Sequence, residues 1–91
     1  MKLGNAIKSV RVMKGLRQGD IADKIKITGA YLSQIENNSK MPSGRILRNL
    51  ARELDVSVSF FLITSVATNE EERNSLISVQ PLIDKIIDQL T

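Results

Sequence analysis

The chain has 91 residues, 13 Lys/Arg against 10 Asp/Glu, and a net charge of +3. It contains no Cys and no His, which excludes disulfides, thiolate and imidazole catalysis and the usual zinc ligand sets. A chain this short makes one domain and buries only about 60–65% of its unfolded surface. The start, Met1-Lys2-Leu3-Gly4-Asn5, precedes no apolar run, so no signal peptide is expected. No apolar stretch approaches the roughly 20 residues of a membrane span. The expectation is a soluble cytoplasmic protein with no membrane contact.

Charge is unevenly spread. Residues 1–62 hold 11 of the 13 Lys/Arg and 5 of the 10 Asp/Glu, an excess of six positive charges. Residues 63–91 hold the other 2 and 5, an excess of three negative charges. A basic body with an acidic tail suits a polyanion at one end and a protein contact at the other.

Leu3, Ile7 and Val10, followed by Met13 and Leu16, recur at helical spacing, and Gly15 stands where a C-terminal cap belongs. A first helix over roughly 3–14 is predicted. Ile21, Ala22 and Ile25 form one stripe of a second helix from Gln18 to Ile25. Lys26-Ile27 is the turn, and Thr28 is placed to cap a third helix by accepting from the backbone N–H near Tyr31. That helix runs to about Asn37. Pro42 biases Met41 away from helix, so residues 38–42 form a loop. Ser43 caps a fourth helix with the stripe Ile46, Leu47, Leu50, Ala51 and Leu54, broken at Asp55-Val56.

Residues 56–62, VSVSFFL, alternate like a strand but begin with a capping serine at Ser57. A lone strand without a sheet partner is implausible, so a fifth helix is predicted, with 63–68 as a connector. Asn69 before Glu70-Glu71-Glu72 reads as a helix start, because acids favour the positive end of the helix dipole. Pro81 interrupts that helix or opens a new one in its first turn. The fold class expected is all-α: a five-helix unit over 1–62 and a helical extension over 63–91.

The third helix carries the chemistry. A helix turns about 100° per residue, so with Thr28 at 0°, Leu32 and Ile35 fall at about 40° and 340° and face the core. Ala30, Ser33, Gln34 and Asn37 lie opposite, between about 140° and 240°. This face is small, uncharged and hydrogen-bonding. Gln34 suits an adenine edge, Ser33 is an adaptable partner, and Ala30 suits a thymine methyl in a major groove. Tyr31 lies at the flank. A merely solvated face would carry Lys and Glu; here none occurs before Glu36, near 80° and partly inward. Arg17, Lys24, Lys26, Lys40, Arg45, Arg48 and Arg52 bracket the segment with charges suited to phosphates. Gln18 and Ser43, at helix starts, offer backbone N–H groups to phosphates.

These residues resemble the Cro and phage-repressor type of helix-turn-helix, the Xre family, over roughly residues 4–62. The similarity lies in Arg11, Leu16-Arg17-Gln18, Ile21-Ala22, Tyr31-Leu32-Ser33-Gln34-Ile35-Glu36 and Lys40-Met41-Pro42-Ser43. It continues through Leu50-Ala51-Arg52-Glu53-Leu54 and Val56-Ser57-Val58. The resemblance implies a five-helix domain that binds operator DNA as a two-fold dimer, with the third helix in the major groove. It implies base contacts from Ala30, Tyr31, Ser33 and Gln34, and phosphate contacts from Gln18, Asn37 and Lys40. It makes Arg11 and Glu36 a structural pair tying the first helix to the third. The family usually has Gly in the turn where this chain has Lys26, and a polar base reader where it has Gly29. Asp55 replaces the common Gly after the fourth helix.

Leu82, Ile83, Ile86, Ile87 and Leu90 give the extension an apolar face. It either packs back on the basic domain or self-associates; exposed apolar stripes usually mark interfaces, so these five residues are the expected dimer contact. The function expected is a sequence-specific double-stranded DNA-binding regulator, a homodimeric repressor on an inverted repeat. The alternative is an antitoxin or anti-repressor module that binds another protein through its last helices. No enzyme is expected: there is no Gly-rich phosphate loop and no clustered carboxylate pair. No cofactor, metal or small-molecule ligand is expected either.

Overall fold

The computed structural model describes residues 1–67 and 69–89. Its regular elements are all α-helices: α1 (Leu3–Met13), α2 (Gln18–Lys24), α3 (Gly29–Glu36), α4 (Gly44–Leu54), α5 (Val58–Val66), α6 (Glu70–Ser78) and α7 (Gln80–Gln89). The all-α class holds, with seven helices among the described residues; α6 and α7 form the extension. Ile7 of α1, Ile21 and Ala22 of α2, Leu32 and Ile35 of α3, Leu47, Leu50, Ala51 and Leu54 of α4, and Phe61 of α5 make one buried core. α1 packs on α3, α4 and α5, while α2 packs on α3 and α4.

Helices α3 to α6 begin where short polar side chains meet orphan backbone donors. Thr28 Oγ1 accepts from the Tyr31 N–H at 3.0 Å, and Ser43 Oγ from the Ile46 N–H at 3.2 Å. Ser57 Oγ accepts from the Phe60 N–H at 3.2 Å, and Asn69 Oδ1 from the Glu72 N–H at 2.7 Å. α1 is different. Lys2 gives it no side-chain cap, and the Gly4 N–H donates instead to Asn38 Oδ1 at 2.9 Å. α1 thus abuts the C-terminal end of α3. A Cβ on Gly4 would stand 2.8 Å from the Glu36 carbonyl oxygen and closer still to that of Ile35.

α1 to α4 all end the same way. Gly15, Lys26, Asn38 and Asp55 each have φ between 56 and 70°, the left-handed region. The N–H of the next residue donates to the carbonyl five positions back: Leu16 to Arg11, Ile27 to Ala22, Ser39 to Gln34 and Val56 to Ala51, at 2.9 to 3.0 Å. This pattern satisfies the last carbonyls of each helix. Three of the four caps are not glycine, and a left-handed backbone costs such a residue about 1–2 kcal/mol. At two of these ends the cost is offset by the residue after the cap: Ile27 after Lys26 and Val56 after Asp55 pack against the core, as Leu16 does after Gly15. The turn between α2 and α3 therefore keeps the left-handed geometry with Lys26 in it.

Two expectations need correction. Residues 63–66 are not a connector, because α5 continues to Val66. Ile63 is buried, and an apolar run wanted in the core extends the helix one turn past Leu62. Met13 is not on the core stripe; it is 85% exposed, because α1 ends there and the chain turns at Gly15.

α6 and α7 both pack on α5, and Gln80 Nε2 donates to Ser57 Oγ at 2.8 Å. No described side chain of α6 or α7 is buried. α7 begins at Gln80, so Pro81 lies in its first turn, where its missing N–H costs nothing. Its apolar face is split. Ile83 and Ile87 are half-buried, while Leu82 and Ile86 are 59% and 49% exposed. Leu90 lies outside the described residues.

Candidate nucleic-acid interface

The core-facing side of α3 is set by Leu32, Ile35 and Glu36, all buried. Ala30, Gln34 and Asn37 are exposed on the other side, and Ser33 and Tyr31 are half-buried at its edges. Tyr31 packs against the core rim. The exposed arc thus holds a methyl, a carboxamide and a second carboxamide at its end, without a charge.

Glu36 is the anchor behind this arc. It is 4% exposed and accepts three hydrogen bonds. Arg11 donates from Nε to Oε2 at 2.7 Å and from Nη2 to Oε1 at 2.9 Å. Gln18 Nε2 donates to Oε1 at 3.1 Å. Arg11 also donates from Nη1 to the Leu16 carbonyl at 2.8 Å, which ties in the cap of α1. Hydrogen bonding to Glu36 raises the Arg11 pKa above its ordinary value, and burial opposes this only in part. One carboxylate therefore joins α1, α2 and α3. Paired, it is satisfied; either partner left alone would be a largely buried, uncompensated charge.

The other expected residues fall around α3. Arg17 is exposed at the N-cap of α2, and Lys40 is exposed in the α3–α4 loop. Asn37 shapes that loop, its Oδ1 accepting from the Ser39 N–H at 3.0 Å and from the Ser39 hydroxyl. Ser43 caps α4, and Arg45 is exposed in its first turn. Gln18, Ser33 and Asn37 are brought together at one polar hollow of about 480 Å³ beside Arg11 and Glu36. Lys40 lies on a different hollow, with Lys2, Asn38 and Pro42. Two residues of the first hollow escaped the sequence reading: Asn5 and Lys8 of α1. They precede Arg11 at three-residue steps, so helical spacing already placed them on its face.

A helix-turn-helix family model matches residues 7–61, and the chain belongs to this family, in its Cro and repressor type. The ImmF control region 10 kDa protein of Bacillus phage phi105 is 33% identical over 70 residues, covering 77% of this chain and 78% of the relative. A propionyl-CoA carboxylase regulator from Cereibacter sphaeroides is 34% identical over 70 residues, again 77% of this chain but only 14% of that protein. No solved structure matches at comparable significance. Fold, exposed arc and family together define a DNA-binding transcriptional regulator. No helix among the described residues is long and apolar enough to cross a membrane.

Proposed function

We propose that this chain is a cytoplasmic repressor that binds an inverted-repeat operator as a homodimer, with α3 of each copy in the major groove. The observation that carries this reading is the uncharged outward arc of α3, held from behind by the Glu36 network. In the groove, Gln34 pairs with a base edge, Ser33 and Ala30 approach neighbouring bases, and Tyr31 borders the flank. Arg17, Gln18, Asn37, Lys40, Ser43 and Arg45 supply the contacts to the backbone that fix register. The exposed half of the α7 stripe supports pairing of two copies, in which Leu82 and Ile86 meet across a two-fold axis. The two matched relatives, named as a control-region protein and a regulator, support a regulatory role.

Selection of bound duplexes from a random pool tests this. The expected result is a pair of inverted half-sites about one helical turn, roughly 10 bp, apart. Enrichment of a single asymmetric site would remove the dimer, and no enrichment would remove sequence-specific binding. A second reading, a module that binds another protein through α6 and α7, is favoured by the same exposed residues. Salt separates the two: phosphate contacts lose affinity steeply with ionic strength, whereas an apolar contact barely responds.

A further inference from the structure

The hollow between α1, α2 and α3 holds more than Ser33 of α3 and Asn37, the C-cap of that helix. Its lining joins Asn5 and Lys8 of α1 to Gln18, Ser33 and Asn37, with Arg11 and Glu36 at its floor. The charges of the floor cancel, because Glu36 takes two hydrogen bonds from Arg11 and one from Gln18. Lys8 is exposed and makes no ion pair among the described residues. It therefore gives the hollow a net positive charge. Asn5 uses its Oδ1 to accept from Asn38 Nδ2 at 2.9 Å, which leaves its own amide N–H groups for a further acceptor. Donors and one uncompensated cation thus surround a space that opens beside Ser33 and Asn37.

From this juxtaposition we infer that α1 is part of the DNA interface: Lys8 neutralises a backbone phosphate seated at the hollow, and Asn5 donates to it. The inference rests on the DNA reading above and adds to it a contact outside the helix-turn-helix segment. A phosphate is the fitting ligand because the hollow lies at the edge of α3, not on its outward arc. When the arc meets base edges, a flanking strand passes the edge. Such a contact carries no sequence information; it adds affinity and a counterion release.

The test is the salt dependence of duplex binding by the full chain. Lys8→Gln should lower the slope of log K against log salt by about 0.9, the value for one phosphate. The loss should be the same on a selected and on a random duplex. Lys8→Arg should restore the slope, and Lys14→Gln, a change of equal charge at the exposed C-cap of α1, should leave it unchanged. Thermal melting should be the same for all four proteins. An unchanged slope in Lys8→Gln, or an equal drop in Lys14→Gln, overturns the contact while leaving the DNA reading intact. Absence of any duplex binding by the unaltered protein would overturn both.

Discussion

Gly4 and Asn38 are 34 residues apart in sequence, yet the N–H of one is capped by the side chain of the other at 2.9 Å. α1 has no capping side chain of its own, so its N-terminus depends on Asn38, the second residue past the end of α3. The same closeness leaves no room for a side chain at residue 4. Gly4→Ala would push against backbone carbonyls that cannot rotate away. It should destabilise the protein by about 1–3 kcal/mol or more, the range for overpacking. In a domain of this size each 1 kcal/mol is about 4–8 °C of melting temperature. A melting curve within 2 °C of the unaltered protein would contradict the packing described.

The left-handed caps separate backbone strain from side-chain bonding. Lys26→Gly removes the strain, and the Lys26 side chain makes no ion pair among the described residues that the change would lose. It should stabilise by up to about 1 kcal/mol, after the added entropy of glycine in the unfolded chain. Asn38→Gly relieves the same φ but deletes the bonds to Gly4 and Asn5. It should destabilise. Chemical denaturation of the two variants, expected to shift in opposite directions, checks both.

Removing one partner of the Arg11–Glu36 pair should cost more than removing both. Glu36→Ala leaves the Arg11 guanidinium, its side chain 12% exposed, without its carboxylate. A loss of about 3–5 kcal/mol is expected. Arg11→Met with Glu36→Leu should recover a large part of it. Urea titration of the single and double variants measures the difference, and simple additivity would rule out the coupling.

Gln34 and Lys40 should fail differently on DNA. Gln34→Ala should cost about 1–3 kcal/mol on the preferred duplex and little on random sequence. Lys40→Ala should weaken both alike. Equal loss on both duplexes for Gln34→Ala would remove it from base reading.

The two halves of the α7 stripe should answer to different measurements. Leu82→Lys with Ile86→Lys places charge on exposed positions, so sedimentation should shift toward monomer while melting stays nearly constant. Ile83→Ala should instead lower stability by about 1–2 kcal/mol, roughly half of what a fully buried residue loses. A double-lysine variant that still sediments as a dimer would move the two-fold contact elsewhere.

Much of this fold was legible because it is local. Thr28, Ser43, Ser57 and Asn69 each stand before an apolar or acidic turn, and each is a cap. Leu32 and Ile35 against Gln34 and Asn37 follow from helical geometry alone. The length of α5 was not legible, since VSFFLITSV is apolar nearly all round and gives no periodic edge. Its limit is set by burial of Ile63, a tertiary fact. Asn5 and Lys8 were missed for the same kind of reason. Their spacing was visible, but the hollow they line exists only once α1 meets α3.

α3 is fastened at three places: by the Lys26 turn before it, by Glu36 along its inner side, and by Asn38 at its end. A helix of eight residues would be largely unfolded in isolation. Here its conformational freedom is surrendered when the domain folds, not when a ligand arrives. Association then carries little ordering entropy from the reading helix, and more of each new contact is retained as affinity. The thermodynamic signature should be that of rigid surfaces meeting, without the large heat-capacity change of a segment that folds as it binds.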